Sequence, residues 1–386
     1  MKKLQSLLLV LLLIFFCFFF ASSQPEISED IEEISSIQED DTFDPLTWKN
    51  NHTKVRGIYV TGPTAGTQRM DEIINLVNET ELNTIVLDVK DDNGNISFEM
   101  NNAYALEIGA CIPYIKDINA LLKQLKDNNI YVIARVPCFK DPILASAKPE
   151  LGLCTYAGEP VTDLYGNAWV NPCRQEVWDY IISICESCAE LGFDEIQLDY
   201  VRFPVGTNAE QANYGTVIDD TNRQEYINTF INQICASMHE MGVPVTADVF
   251  GTIIHSQIDA EHVGQDYQTF ASTLDVLCPM IYPSHYASGE FGLEIPDAAP
   301  YETIYEALSY SKNILSSLDS DEVAVIRPWL QAFDATWVDG YIEYDGTAIR
   351  KEIQAVYDAG YEEWILWNSK SIYSSDGLVK VNDKKF

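Results

Sequence analysis

This sequence of 386 residues has few basic side chains. It contains 24 Lys and Arg residues against 59 Asp and Glu residues, which gives a formal net charge of -35. Binding to phosphate backbones needs clustered Lys and Arg side chains, and the chain has no such cluster. We therefore expect no nucleic-acid partner, and the negative field also disfavours polyanionic polymers.

Sequence patterns that bind metals or nucleotides are missing as well. None of the five histidines stands in an HxH or HExxH pattern, and no CxxC pair recurs at the spacing of a zinc site. No GxGxxG motif follows the first strand-like run, which argues against a dinucleotide-binding sheet. We therefore expect neither a metal nor an organic cofactor.

The sequence has nine cysteines, of which eight remain if Cys17 is left out. An even number permits disulfides in an exported protein. However, Cys185 and Cys188 lie within an apolar helical pattern, and Cys138 and Cys278 follow strand-like runs. Free cysteine packs as a small apolar side chain, so we expect mostly reduced, packed thiols.

The first 23 residues have the pattern of an export signal. Lys2 and Lys3 precede an apolar run over 7–20, and Ala21-Ser22-Ser23 forms a small-residue cleavage site. Because the run is close to the shortest helix that spans a bilayer, an uncleaved membrane anchor is the alternative. The pattern predicts a secreted or extracytoplasmic membrane-anchored protein.

Residues 24–52 are predicted to form a disordered acidic linker. Nine acidic residues and no basic residue occur between positions 24 and 48, a composition that favours solvation over a packed core. The folded domain is expected to cover residues 53–386.

Strand-like and helix-like segments then alternate without a second linker. Apolar strand-like runs occupy residues 55–60, 84–89, 131–136, 195–201, 245–250, 276–282, 323–330 and 364–367. Helical periodicity occurs between them, for example over 118–126, 176–191, 226–241 and 348–359. Continuous apolar runs are typical of parallel strands buried on both faces. Eight of them predict an α/β fold of the (β/α)8 TIM-barrel type, with an open doubly wound sheet as the alternative.

Two aspartates stand at the carboxyl ends of neighbouring predicted strands, where such a barrel keeps its chemistry. A pair of carboxyl groups, one ionised and one protonated, is what cleavage of a glycosidic bond requires. We predict Asp199 as the nucleophile, kept ionised by the neighbouring Arg202. Asp248 is predicted as the acid/base, its pKa raised by the apolar Val249 and Phe250. The reverse assignment remains open, as do purely structural roles as an ion pair and a turn cap.

Further polar and aromatic residues at the strand ends are expected to bind the substrate. The predicted binding residues are Asp88, Lys90, Asp91, Gln197, Arg202, Tyr282, His285, Trp329, Gln331, Trp367 and Asn368. Aromatic rings offer apolar faces to pyranose rings, although core packing is the better explanation for about half of the aromatic residues. Ordinary turn chemistry is the alternative for Asp91. Arg327 is expected to pair with a carboxylate of the site or with one inside the barrel.

Seven segments carry a family resemblance, and together they cover nearly the whole folded part. They are residues 55–59, 87–94, 192–204, 247–251, 279–286, 327–333 and 367–368. In this order they resemble the exported bacterial family called "putative glycosyl hydrolase domain", which is distantly related to α-amylase-like barrels. The resemblance implies a TIM barrel and glycoside hydrolysis, with Asp199 in the place of the fourth-strand nucleophile and Asp248 in that of the fifth-strand acid. Gln197 and Gln331 depart from the arginine and the third carboxylate of α-amylase-like barrels.

Together these observations predict an exported single-barrel glycoside hydrolase that acts on a neutral or cationic polysaccharide, with cell-envelope glycan as one candidate. Its expected partner is this carbohydrate. If the N-terminal segment stays uncleaved, the protein is also expected to be attached to the membrane. The alternative from another class is a carbohydrate-binding or envelope-scaffolding barrel without turnover.

Overall fold

Eight parallel strands close into a barrel, which confirms the predicted (β/α)8 fold. A computed structural model describes residues 43–381 apart from positions 207, 320 and 322. Neighbouring strands pair in chain order, and the eighth strand pairs with the first. The strands are β1 (Arg56–Val60), β2 (Thr84–Asp88), β3 (Tyr131–Pro137), β4 (Glu195–Asp199), β5 (Val245–Phe250), β6 (Val276–Met280), β7 (Val325–Ile326 continued by Trp329–Gln331) and β8 (Trp364–Trp367).

Strand β7 is split in two, whereas the sequence predicted a continuous run over 323–330. Pro328 lacks the N–H that an unbroken strand would donate. Beside the break, Arg327 points into the barrel, where its Nη1 lies 2.6 Å from Glu195 Oε1 and its Nε lies 2.9 Å from Glu363 Oε2. Of the two alternatives for Arg327, the ion pair inside the barrel is therefore the correct one.

Helices cover the outside of the barrel and pack on the strands, apart from the first, which contacts the cluster inside the barrel. Their bounds are Pro45–Asn51, Gly62–Ala65, Arg69–Glu79, Ala103–Glu107, Ile118–Asp127, Pro142–Ala147, Gln175–Leu191, Asp220–Glu240, Gln257–Val263, Tyr267–Ala271, Pro300–Leu315 and Gly346–Asp358. Short 3-10 turns lie at Ala209–Gln211, Gly251–Ile254, Pro283–His285, Glu290–Gly292 and Pro296–Ala298. Gly192 ends the helix Gln175–Leu191 with a φ of 86°, a left-handed conformation that favours glycine.

A short helix, Pro45–Asn51, lies in the segment that the sequence assigned to the linker 24–52. Asp44 caps its first turn, and Trp48 packs against the apolar side chains inside the barrel. A helix of this length is stable only when tertiary packing holds it, so the packing of Trp48 explains the difference from the prediction. The remainder of the predicted linker and the predicted signal segment 1–23 lie outside the described residues.

Long loops follow β3 and β4 at the carboxyl end of the barrel. They are joined by an antiparallel pair of two-residue strands, Cys154–Thr155 and Ala212–Asn213. After β2, the strands Ile96–Phe98 and Cys111–Ile115 form another small pair. These loops build the rim around the carboxyl ends of the barrel strands.

Apolar side chains form one cluster inside the barrel and a larger one between strands and helices. Among the described helices, none is long and apolar enough to cross a bilayer. The described part of the chain contains eight free cysteines, and five of them are buried.

Candidate active site

A cavity of about 420 Å³ opens at the carboxyl ends of the barrel strands. Arg135 from β3, Asp199 from β4 and Asp248 from β5 all line it. Leu198 of β4 lies opposite Ala247 of β5 in the parallel register. The next residue on each strand is therefore an aspartate at the same level of the barrel. The structure thus brings the two aspartates singled out from the sequence into one cavity.

Asp199 is held by three N–H donors. Arg135 donates to Asp199 Oδ2 from Nη2 at 2.5 Å and from Nε at 3.1 Å. The backbone N–H of Tyr200 donates to Asp199 Oδ1 at 2.6 Å. Tyr200 has a φ of 49°, a left-handed backbone that costs a tyrosine about 1 to 2 kcal/mol and is typical of functional sites. An ionised carboxylate is an acceptor only, so three donors suit the ionised form.

Arg202, which was predicted to keep Asp199 ionised, makes different contacts. Its guanidinium carbon lies 4.5 Å from the ring centre of Phe250 and 4.9 Å from that of Trp169. Burial lowers the pKa of Arg202 to about 10. Within the described part of the chain it forms no ion pair with Asp199, because the aromatic rings hold it in a separate position. Arg135 is the cation that pairs with Asp199, and Arg202 lines the cavity beside them.

Asp248 lies in surroundings that favour its neutral form. Its Oδ1 accepts from Trp329 Nε1 at 2.6 Å and from Gln197 Nε2 at 2.9 Å. Burial, followed by the charge of Asp199, raises the pKa of Asp248 well above the usual range of an aspartate and outweighs the hydrogen bond from Trp329, which lowers this pKa. Both donors address Oδ1, which leaves Oδ2 as the available position for a proton on the neutral group. These contacts differ from those of a turn cap, the structural alternative for this residue.

The guanidinium of Arg135 also joins the carboxylate of β4 to two further acidic groups. Nη1 donates to Asp88 Oδ1 at 2.5 Å, and Nη2 donates to Asp92 Oδ1 at 2.9 Å. Tyr59 donates its hydroxyl proton to the other oxygen of Asp88 at 2.8 Å. Burial raises the pKa of Asp88 to about 7. Burial also opposes ionisation of Asp92, but Arg135 and Lys140 outweigh it and lower the pKa of Asp92 to about 2.

Most of the residues predicted to bind substrate lie in or next to the cavity. Its lining includes Arg202, Tyr282, His285, Trp329 and Trp367. Asp88 and Gln197 lie behind the lining and bond to Arg135 and Asp248. Asn368 lines a second, adjacent cavity. Burial lowers the pKa of His285 below its usual value, so its imidazole is neutral at pH 7.

Two residues of the turn after β2 have structural roles, contrary to the prediction that they bind substrate. Lys90 is fully buried, with its Nζ 2.9 Å from Asp141 Oδ2. A buried cation needs such a partner. Asp91 accepts from the backbone N–H groups of Asn93 and Asn95 at 2.8 and 2.9 Å. Turn chemistry, the alternative considered for Asp91, is therefore the correct explanation.

Gln331 is likewise not a lining residue of the cavity, contrary to the prediction. Its side chain is fully buried; Oε1 accepts from the Ser284 hydroxyl at 2.7 Å and Nε2 donates to Asp297 Oδ1 at 2.8 Å. These bonds tie the loop after β6 to β7. Gln331 therefore supports the rim of the site and stays covered by protein.

No role was predicted from the sequence for four residues of the site, namely Tyr59, Asp92, Arg135 and Tyr200. Arg135 had a readable signal, because it is a cation within the otherwise apolar run 131–137. A buried guanidinium requires a carboxylate partner on a neighbouring strand. The other three residues had no comparable signal, since their contacts depend on the strand register. Among the described residues, no group of three His, Cys, Asp or Glu side chains is placed to hold a metal ion.

The fold and the site define a (β/α)8 barrel with two carboxyl groups in one cavity at the carboxyl ends of its strands. The chain belongs to the family described as "Putative glycosyl hydrolase domain", whose model matches residues 57–373. The family resemblance recognised in the sequence is thereby confirmed.

Two solved structures that share the fold are distant in sequence. The glycoside hydrolase domain of PgaB (BpsB) from Bordetella bronchiseptica is 13% identical, with a TM-score of 0.60 over 83% of this chain and 95% of that one. The C-terminal domain of a "putative chitinase" from Desulfitobacterium hafniense DCB-2 is 12% identical, with a TM-score of 0.53 over 84% and 96%. A hypothetical protein from Ruminiclostridium thermocellum ATCC 27405 is 38% identical over 50% of this chain and 97% of its own, with a TM-score of 0.45. None of the curated proteins matches the chain.

Proposed function

We propose that this protein is a glycoside hydrolase that uses Asp199 as nucleophile and Asp248 as acid/base. The observation that carries the proposal is the contrast between two carboxyl groups on adjacent strands of one cavity. Three N–H donors surround Asp199, whereas burial raises the pKa of Asp248. Two carboxyl groups whose surroundings favour opposite protonation states are the acid/base pattern of glycosidic cleavage.

The reaction that we propose for this pair is a double displacement. Asp248 transfers the proton on Oδ2 to the glycosidic oxygen as the bond from that oxygen to the anomeric carbon breaks. Asp199 attacks the same carbon and forms a glycosyl ester. Asp248, now ionised, takes a proton from water, whose oxygen displaces Asp199 and restores both carboxyl groups.

The remaining lining residues would bind the sugar rather than react with it. Tyr282 and Trp367 offer ring faces, and Arg202 offers N–H donors to hydroxyl or carbonyl oxygens of the sugar. His285 would act as a neutral hydrogen-bonding group. Because the whole protein is strongly acidic, the proposed substrate is a neutral or cationic polysaccharide, and no nucleic-acid partner is proposed.

The N-terminal sequence supports a proposal about location. Its two lysines, apolar run and small-residue site are those of an export signal or an uncleaved anchor. The protein would then act outside the cytoplasm, either secreted or attached to the membrane. A glycan of the cell envelope is the substrate most readily met there.

A screen of cell-wall and storage glycans tests the proposed activity. Wild-type protein is expected to release reducing sugar from at least one glycan. Asp199→Asn and Asp248→Asn should lower the rate by about 10² to 10⁴ or more. Asp127→Asn is the matched control, because Asp127 is an exposed partner of Lys123 at the end of the helix Ile118–Asp127, and its rate should equal that of wild type. Binding of a glycan without release of sugar would instead identify a non-catalytic carbohydrate-binding barrel.

A further inference from the structure

A second cavity adjoins the candidate active site. Its volume is about 1000 Å³, compared with about 420 Å³ for the first. His285 and Trp367 line both cavities, so the two share a wall. A molecule bound at the two aspartates could therefore extend into the second cavity without leaving the surface of the protein.

A row of aromatic rings connects the two cavities. Ring centres are 5.7 Å apart between Tyr282 and Trp367, 5.2 Å between Trp367 and Phe333, and 5.9 Å between Phe333 and Trp337. The last two rings are stacked, with 20° between their planes. The row begins in the cavity of Asp248 and ends at the outer edge of the second cavity.

The aromatic side chain at the end of this row is largely exposed to solvent. Trp337 is 65% exposed, although burial of an indole is among the strongest stabilising contributions that a side chain makes. Large exposed apolar surface next to polar groups is typical of a binding site. Phe333 stacks on the indole and His285 contacts it with ring centres 6.4 Å apart and perpendicular ring planes, so the ring is held while most of its surface stays exposed.

A second exposed ring reaches the same cavity from a different loop. Tyr165 is 89% exposed and lines the second cavity. Asp163 Oδ1 accepts from the backbone N–H groups of Tyr165 and Asn167, each at 2.9 Å, so the turn has a fixed shape. Lys140 anchors this turn through Asp163 at 3.1 Å and also lies 3.4 Å from Asp92 in the first cavity. The position of Tyr165 is thereby tied to the candidate active site.

The charges of the second cavity are balanced. Among the described lining residues, Asp334 and Lys370 are the charged groups, and burial keeps His285 neutral. Asp334 is already an acceptor for the backbone N–H of Tyr344 at 2.7 Å. Ring faces with a few polar groups and no net charge suit the alternating apolar and hydroxyl surfaces of neutral sugar rings.

We propose that the second cavity binds the sugar rings that continue the chain beyond the bond placed at Asp199 and Asp248. This inference rests on the proposed function and names its substrate class, a neutral glycan chain of several pyranose units. Trp337 and Tyr165 are the outer binding residues. They contribute to the affinity for the glycan and do not take part in the chemical step. A disaccharide would fill the first cavity and gain nothing from the second.

Binding measured in the Asp199→Asn background tests the inference without requiring turnover. Affinity gel electrophoresis with the neutral polymers hydroxyethyl cellulose, glycol chitin, dextran and amylose gives the dissociation constant for each polymer. At least one polymer is expected to bind, and Trp337→Ala and Tyr165→Ala should each weaken that binding about tenfold, the worth of one aromatic contact. Trp337→Phe keeps a ring and should stay within about threefold of the parent.

Tyr156→Ala is the matched control. Tyr156 is 77% exposed in the same loop as Tyr165 but does not line the described part of the second cavity, so its loss should leave binding unchanged.

Equal binding by Trp337→Ala and the parent, or no binding to any of the four polymers, would overturn the inference. Polymer binding that depends on Trp337 while wild-type protein releases no sugar would uphold this site and reject the hydrolase. Release of sugar by wild-type protein, together with unchanged polymer binding in Trp337→Ala and Tyr165→Ala, would uphold the hydrolase and reject this site.

Discussion

Asp199 and Asp248 are the same amino acid in two different surroundings. Arg135 and a backbone N–H point at the first, whereas an indole and an amide share a single oxygen of the second. The burial that raises the pKa of Asp248 also covers Asp88, on the other side of the Arg135 guanidinium. At the scale of the residue, burial therefore raises the pKa of two carboxyl groups of the site, Asp248 and Asp88.

Asp88→Asn should make the protein more stable in a pH-dependent way. Burial raises the pKa of Asp88 to about 7 in the folded protein, from 3.8 in its unperturbed state. Below about pH 4 the group is protonated in both states, so the substitution should change the free energy of unfolding little. Between about pH 4 and pH 7 the unfolded chain releases the proton that the folded protein keeps, and wild-type stability falls by up to about 4 kcal/mol.

Urea denaturation of both proteins at several pH values measures this difference. The free energy of unfolding of Asp88→Asn should equal that of wild type below about pH 4. Its excess over wild type should grow from about pH 4 and level off above about pH 7. Asp127→Asn, at an exposed position, is the control and should show no such trend. A difference that stays constant with pH would mean that Asp88 titrates alike in the folded and unfolded states.

At the scale of the element, strand positions could be predicted from the sequence because each barrel strand is a continuous apolar run. The two catalytic candidates could be predicted for the same reason, since an aspartate that ends such a run is conspicuous. The pairing of Asp199 with Arg135 is harder to predict, although a lone cation in an apolar strand is a signal. Arg202 is close to Asp199 along the chain, but the parallel register places Arg135 opposite Gln197 and turns the Arg135 side chain toward the barrel axis. Contacts of that kind depend on which strands become neighbours.

The helix Pro45–Asn51 shows the same limit. Its seven residues have no strong helical pattern, and what holds it is the contact of Trp48 with the cluster inside the barrel. Lys49 adds a bond of 2.5 Å to the backbone oxygen of Val323. Because such a segment depends on tertiary contacts, its sequence pattern alone predicts a linker and not a helix.

Trp48→Ala should therefore destabilise the whole barrel. Because Trp48 is only half-buried, we expect a loss of about 2 kcal/mol, below the range for a fully buried tryptophan. Leu46→Ala is the control on the same helix, because Leu46 is 41% exposed, and it should cost under about 0.5 kcal/mol. Equal unfolding free energies of Trp48→Ala and wild type in urea would show that this helix is only loosely attached.

At the scale of the whole molecule, the net charge of -35 contrasts with the charge balance of the two cavities. Arg135 and Lys140 offset the acidic groups around Asp199, and the second cavity pairs one acidic residue with one basic residue. The acidity therefore lies mainly on the rest of the surface and in the N-terminal segment. It would exclude polyanions without attracting the proposed substrate.

Binding of the neutral glycan should for this reason be nearly independent of salt. Raising sodium chloride from about 0.05 M to 0.5 M shortens the screening length to a few ångströms, yet the dissociation constant is expected to change less than about twofold. Ring stacking and hydrogen bonds would supply the affinity. A loss of affinity of tenfold or more in high salt would indicate that charge attraction holds the substrate.

The division of roles between Asp248 and Asp199 is tested most directly by changing the leaving group of the substrate. The glycan that wild-type protein cleaves is compared with the dinitrophenyl glycoside of the same sugar, whose leaving group departs without a proton. Asp248→Asn should lose about 10² to 10⁴ in kcat/KM on the glycan and at least tenfold less on the dinitrophenyl glycoside, whereas Asp199→Asn should be inactive on both. Equal losses of Asp248→Asn on the two substrates would contradict its role as the acid and with it the account of this site.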